Sequence, residues 1–208
     1  MTMTKAEILQ VKITLEGVSP RIWRRFLVEN TFTFHQLHQA IQIVMGWNDS
    51  HLYGFEVDQK AYQDARHNDF TDFNDGKHSP SHKTMIKELK AKQKFYYTYD
   101  FGDNWEHQLV VEKVLPKDIS KRYPVCVGGE RNCPPEDSGS ISGYHHLMSV
   151  RKNKKHPEYK ELVIEWLGED YNPEHFSIPG TNIGLQRAFP KKGEKIDGRA
   201  RYWVFNAN

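Results

Sequence analysis

Phe95-Tyr96-Tyr97-Thr98-Tyr99-Asp100-Phe101-Gly102-Asp103-Asn104-Trp105-Glu106-His107 decides the fold. Aromatic residues favour the pleated, half-buried surface of a strand. Asp100-Phe101-Gly102-Asp103 then supplies turn chemistry, and Trp105 to Leu115 alternates again, so the stretch predicts two strands joined by a tight connection.

A second hairpin is predicted at the N-terminal end. Leu9, Val11, Ile13 and Leu15 alternate with polar neighbours, and Ser19-Pro20 breaks the pattern. Arg21 to Val28 follows, with Ile22, Phe26 and Val28 on one face and Trp23, Arg25 and Leu27 on the other. Thr33 to Gly46 is the clearest helix. Thr33 caps it, Gln36 completes a capping-box pattern, and Phe34, Leu37, Ala40, Ile41, Val44 and Met45 form one apolar stripe that Gly46 ends.

Leu52 to Val57 reads as a third strand. Asp58 to Ser81, with Asp64, Asp69, Asp72 and Asp75, reads as a long acidic loop, and Met85 to Lys90 as a short helix. Pro124 to Gly143 is predicted to be an irregular connection containing Cys126 and Cys133. Helices are expected at Tyr144 to Arg151 and from Pro157 to the stop at Gly168, and Asn172-Pro173 is expected to cap a short third turn. Residues 1–189 are expected to form one domain. The basic tail, residues 190–208, ends in Tyr202-Trp203-Val204-Phe205, which is expected to dock as a last strand.

Composition narrows the function classes. The 208 residues suit a single domain, and 38% hydrophobic residues suffice for a core, while a mean hydropathy of −0.76 implies a polar surface. A net charge of +2 creates no whole-molecule field for nucleic acid, so any such contact needs a local patch. Met1 to Lys5 leads into no apolar signal core, and no stretch reaches the roughly 20 apolar residues of a membrane span. Two cysteines are too few for a disulfide framework, which leads to the expectation of a reduced, cytoplasmic chain without a membrane partner.

Three segments in order resemble the plasmid pRiA4b ORF-3-like family. The first is Pro20-Arg21-Ile22-Trp23-Arg24-Arg25, followed by Thr33-Phe34, Leu37-His38, Ile41-Gln42, Met45-Gly46-Trp47 and His51-Leu52. The second runs from Tyr99 to His107. The third comprises Cys126, Gly129-Glu130-Arg131, Cys133-Pro134-Pro135-Glu136-Asp137 and Gly143-Tyr144, with Trp166-Leu167-Gly168 behind it. The likeness covers roughly residues 8 to 185, and it departs at Ser140, where the family more often has glycine. It implies an α+β roll-like domain: a mixed, mainly antiparallel sheet with helices packed on one side. It also implies an association with plasmids or mobile elements, and no settled activity.

The candidate functional cluster is Asp100, Asp103, Trp105, His107, Arg131, Glu136 and Asp137. A turn with aspartates three apart can aim both carboxylates to one side, and His107 shares a strand face with Trp105. Such a set suits a divalent cation or acid–base chemistry, although aspartates beside glycine are also ordinary turn residues. Pro134 and Pro135 stiffen the approach to Glu136 and Asp137, which suits a binding site or a salt-bridged loop closing over the core.

Cys126 and Cys133, with His107, are candidate zinc ligands, but their separation exceeds the usual knuckle spacing, and lone cysteines are often small buried residues. Arg21, Arg24 and Arg25 are expected on a solvated edge strand. Arg151, Lys152, Lys154, Lys155, Lys191, Lys192, Arg199 and Arg201 are the nucleic-acid candidates, against the plainer reading of solvated faces. Ser138 to Gly143 lacks the central serine of a nucleophile elbow, and no phosphate-binding glycine loop occurs. The expectation is a non-enzymatic binding or accessory module whose partner is nucleic acid or another protein. The alternatives are a metal-dependent hydrolase-like enzyme and a structural or protein-interaction domain.

Overall fold

The structure, a computed structural model, describes residues 6–64, 78–191 and 194. In β1 (Glu7–Leu15), Leu9, Val11, Ile13 and Leu15 are buried, while Gln10, Lys12 and Thr14 remain half-exposed. β2 (Trp23–Glu29) pairs with it antiparallel, Val11 opposite Phe26. α1 (Phe34–Met45) carries both halves of its capping box. Gln36 N donates to Thr33 Oγ1 at 3.2 Å, and Thr33 N donates to Gln36 Oε1 at 2.9 Å. Gly46, at φ 102°, ends the helix in the left-handed conformation that glycine tolerates.

β3 (Tyr53–Val57) carries β4 (Lys60–Gln63) antiparallel, and β5 (His78–Pro80) adds to β4 in parallel. The two ends of the expected acidic loop are therefore strands, and residues 65–77 lie outside the described residues. Lys-Ala-Tyr-Gln has no apolar alternation, so β4 rests on backbone pairing that periodicity does not reveal. The short helix expected at Met85 to Lys90 is a 3₁₀ turn, Ile86–Glu88.

β6 (Lys94–Tyr99) and β7 (Trp105–Pro116) form the central hairpin, Tyr99 opposite Trp105. β7 also pairs with β1, where Glu112 is the extra residue of a bulge between Val111 and Lys113. β8 (Val125–Glu130) lies inside the segment expected to be irregular and pairs with β2. α2 (Ser140–Arg151) follows, then a π-type helical segment, Lys160–Leu167. An eleven-residue α3 (Ile178–Ala188) stands where only a short turn was expected. Pro179, Gly180, Thr181 and Gly184 are weak helix formers, so local propensity conceals α3. A cap at Ser177 and the burial of Gly184 and Leu185 sustain it.

Among the described residues, eight strands run β5-β4-β3-β6-β7-β1-β2-β8, antiparallel except between β4 and β5. One core unites the buried sheet face with α1, Tyr144 of α2 and Leu185 of α3, which makes the fold α+β with its helices on one side. Among the described residues no helix is long and apolar enough to cross a membrane. The expected last strand, Tyr202-Trp203-Val204-Phe205, lies outside the described residues.

β2 is not the expected solvated edge strand, because it lies between β1 and β8. Arg24 is 1% exposed on its core face. The guanidinium donates to the carbonyls of Val44, Trp23 and Glu130 and stacks 3.8 Å from the Phe176 ring. Burial lowers its pKa to about 10, so it stays charged at neutral pH, solvated by carbonyl dipoles.

Candidate functional site

Three chain segments converge beside the central hairpin. After β6, Asp100 takes φ 53°, and its Oδ1 accepts from Gly102 N at 2.9 Å, the aspartate turn that the sequence implies. The connection between α1 and β3 supplies Trp47, Asn48 and His51. The third segment is the proline loop, where Pro134 and Pro135 fix the backbone before Glu136 and Asp137.

Direct bonds hold these segments together. Trp47 Nε1 donates to the Pro134 carbonyl at 3.0 Å, and Glu136 Oε1 accepts from Asn48 N at 2.6 Å and from the Tyr99 hydroxyl at 3.0 Å. Asp103 Oδ2 accepts from Gly139 N at 3.0 Å, tying the hairpin turn to the start of α2. The turn and the proline loop therefore lie against one another.

His51 occupies the junction. Its Nε2 is 3.1 Å from Asp137 Oδ1, 3.8 Å from Asp100 Oδ2 and 3.9 Å from Glu136 Oε2. That nitrogen is shielded from solvent and makes no well-directed hydrogen bond among the described residues. Asp100 is buried, whereas the Asp137 side chain is 73% exposed, so the cluster opens outward on the Asp137 side. Burial raises the Glu136 pKa above the usual carboxylate range. The bonds from Asn48 and Tyr99 and the His51 charge oppose that shift, and Asp137 adds to it. Burial, then the neighbouring Glu136 charge, raises the Tyr99 phenol above its ordinary value, so it remains a donor.

His51, Asp100 and Asp137 can each offer one ligand atom, all within 4.8 Å of one another. Zinc bonds of ~2.0–2.2 Å place neighbouring ligands of a tetrahedral ion about 3.3–3.6 Å apart, so small side-chain adjustments suffice. Glu136 faces the same nitrogen but is already engaged by two donors.

The other predicted residues lie elsewhere. His107 is wholly buried, edge-on to Trp47 with ring centroids 5.1 Å apart, and does not join the carboxylates. Trp105 is a core residue packed near Trp47. Arg131 turns to Glu174 at 2.8 Å and to the Pro20 carbonyl at 2.7 Å. Cys126, Cys133 and His107 do not assemble as a zinc set among the described residues. Both thiols are buried and free, and burial raises their pKa values despite the Arg24 charge. Zinc needs thiolates, which such burial disfavours.

Lys152, Lys154, Lys155 and Lys191 are exposed and Arg151 is half-buried, while Lys192, Arg199 and Arg201 lie outside the described residues. Residue-by-residue reading missed His51 and Tyr99 as site members. Their one signal was position, because both stand inside the family-like segments, His51 beside Leu52 and Tyr99 at the head of the turn.

The geometry defines a class: an α+β protein with a carboxylate–histidine cluster built from three loops beside a mainly antiparallel sheet. The chain belongs to the plasmid pRiA4b ORF-3-like protein family, which it matches over residues 7–179. It is 32% identical over 170 residues to the uncharacterized protein y4hQ of Sinorhizobium fredii (strain NBRC 101917 / NGR234), a match covering 80% of this chain and 84% of that one. It also resembles the crystal structure of MM3350, a protein of unknown function from Methanosarcina mazei Go1. There the TM-score is 0.75 at 34% identity, over 85% of this chain and 98% of that one.

Proposed function

We propose that this chain is a cytosolic binding module whose ligand is a divalent cation held by His51, Asp100 and Asp137. The observation that carries this reading is the His51 Nε2 atom, shielded from solvent and facing Asp137 at 3.1 Å and Asp100 at 3.8 Å from two other segments. Three carboxylates around one imidazole concentrate negative charge, which a bound cation offsets. Imidazole with carboxylate oxygens suits zinc or manganese. Three protein ligands leave a position for water, so hydrolase-like chemistry belongs to the same site.

Calorimetric titration of the metal-free protein with zinc and with manganese tests the reading. About one ion per chain should bind and raise the melting temperature, and His51→Ala should weaken binding at least about tenfold. Absence of stoichiometric binding by either ion, with unchanged melting, overturns it.

A second reading is an accessory role on plasmids or mobile elements that touches nucleic acid. Lys152, Lys154 and Lys155, exposed and without a carboxylate partner among the described residues, favour it. A gel shift at ~50 mM salt that fades steeply by ~200 mM is the expected result, because phosphate contacts release counterions. No shift at the lower salt removes this reading.

A further inference from the structure

The segment that carries His51 is held in an unusual way. Three successive backbone amides donate to side chains of three different elements. Asn48 N bonds Glu136 of the proline loop at 2.6 Å, Asp49 N bonds Gln42 Oε1 of α1 at 2.8 Å, and Ser50 N bonds the Tyr99 hydroxyl of β6 at 3.0 Å. Asp49 itself sits at φ 55°, a left-handed conformation that few non-glycine residues adopt and that aspartate tolerates better than most.

Those contacts close into a circuit. His38 Nε2 meets Asp49 Oδ1 at 2.7 Å, and His38 Nδ1 meets the Tyr97 hydroxyl at 2.8 Å. Gln42 Nε2 donates to the same hydroxyl at 2.9 Å, and Gln42 Oε1 accepts from Asp49 N, which returns to the starting residue. One proton arrangement satisfies every link: Tyr97 donates to Nδ1, and Nε2–H donates to the Asp49 carboxylate. His38, Gln42 and Tyr97 are each no more than 2% exposed, so little water competes for these bonds. The His38 ring also stacks on Tyr53, with centroids 3.5 Å apart, which fixes its orientation.

We propose that Asp49 and Tyr97 are positioning residues for His51: their circuit through His38 and Gln42 sets the Asn48–Ser50 backbone and thereby aims the imidazole at Asp100 and Asp137. This rests on the cation reading of the site. Neither residue contacts the candidate ion, and both act through the backbone. Groups that orient metal ligands in this way typically account for 10–100-fold in affinity.

The test compares wild type, Asp49→Ala, Asp49→Asn and Tyr97→Phe by zinc titration, and by hydrogen exchange of the Asn48, Asp49 and Ser50 amides in the metal-free protein. Asp49→Ala removes the acceptor of the His38 bond, whereas Asp49→Asn retains a side-chain oxygen there. Asp49→Ala and Tyr97→Phe should weaken zinc binding roughly 10–100-fold and speed exchange of the three amides, and Asp49→Asn should restore both. Thermal melts identify any variant that fails to fold. The Asp49 side chain is 44% exposed, so Asp49→Ala is expected to fold.

Wild-type zinc affinity and unchanged exchange in Asp49→Ala overturn the proposal. If wild type binds neither zinc nor manganese, the exchange data decide alone. Faster exchange in Asp49→Ala, reversed in Asp49→Asn, sustains the positioning role and removes only the cation reading. Unchanged exchange removes both.

Discussion

His107 has no hydrogen-bond partner for Nε2 among the described residues, while its Nδ1 meets the Tyr97 carbonyl at 3.3 Å. Burial lowers its pKa to about 3 from an ordinary 6.5. Between those values the unfolded chain binds a proton that the folded chain refuses. This group's contribution is therefore fully present above pH ~6.5 and is lost as the pH falls towards 3. Urea unfolding should show a stability slope of up to about 1.4 kcal/mol per pH unit from this residue between pH ~6 and ~4. His107→Leu should flatten the slope, and equal slopes in the two proteins would mean that the imidazole reaches solvent. The two-residue period of a strand placed His107 on one face with Trp105, and the burial of Trp105 takes His107 into the core with it. His51 stayed hidden, because it lies in a connection with no periodicity and gains its neighbours only through folding.

Elements whose signals are local matched expectation. α1 combines a cap, an apolar stripe and a terminal glycine, and each is read within one or two turns. Thr33→Ala should cost about 1 kcal/mol in chemical denaturation, with ~2 kcal/mol as the upper limit, because it removes one half of the capping box. No loss would show that the helix start is held by its packing instead. β4, β8 and α3 escaped for the same physical reason. Their residues have weak propensity or no period, and they are ordered by partners far away in sequence. β8 is the clearest case, since Val-Cys-Val-Gly-Gly-Glu reads as loop chemistry. Yet Gly129 lies so close to Phe176 that a Cβ there would come within 2.4 Å of the ring, a fit that exists only after α3 has folded back.

For the whole molecule, the two edges of the sheet among the described residues are managed differently. β5 is three residues long and ends in proline, which limits strand addition. β8 is closed by a side chain. Asn182 of α3 accepts from Cys126 N at 2.7 Å and donates to the Cys126 carbonyl at 2.9 Å, imitating a neighbouring strand. Asn182→Ala should destabilise the fold by about 1–2 kcal/mol, the worth of two such bonds, and should promote self-association seen by size-exclusion chromatography. A monomer of unchanged stability would show that α3 shields β8 by bulk alone.

The amino-acid sequence by itself determined the two hairpins, α1, the turn at Gly102 and the family, because each is encoded in short-range pattern, where neighbouring residues decide one another's conformation. Only the tertiary structure decided which polar groups meet. It buried Arg24 among carbonyls, withdrew His107 into the core, kept the cysteines out of any ligand set among the described residues and brought His51 to Asp100 and Asp137. Those outcomes depend on contacts between segments as far as 106 residues apart, whose distances no local pattern encodes.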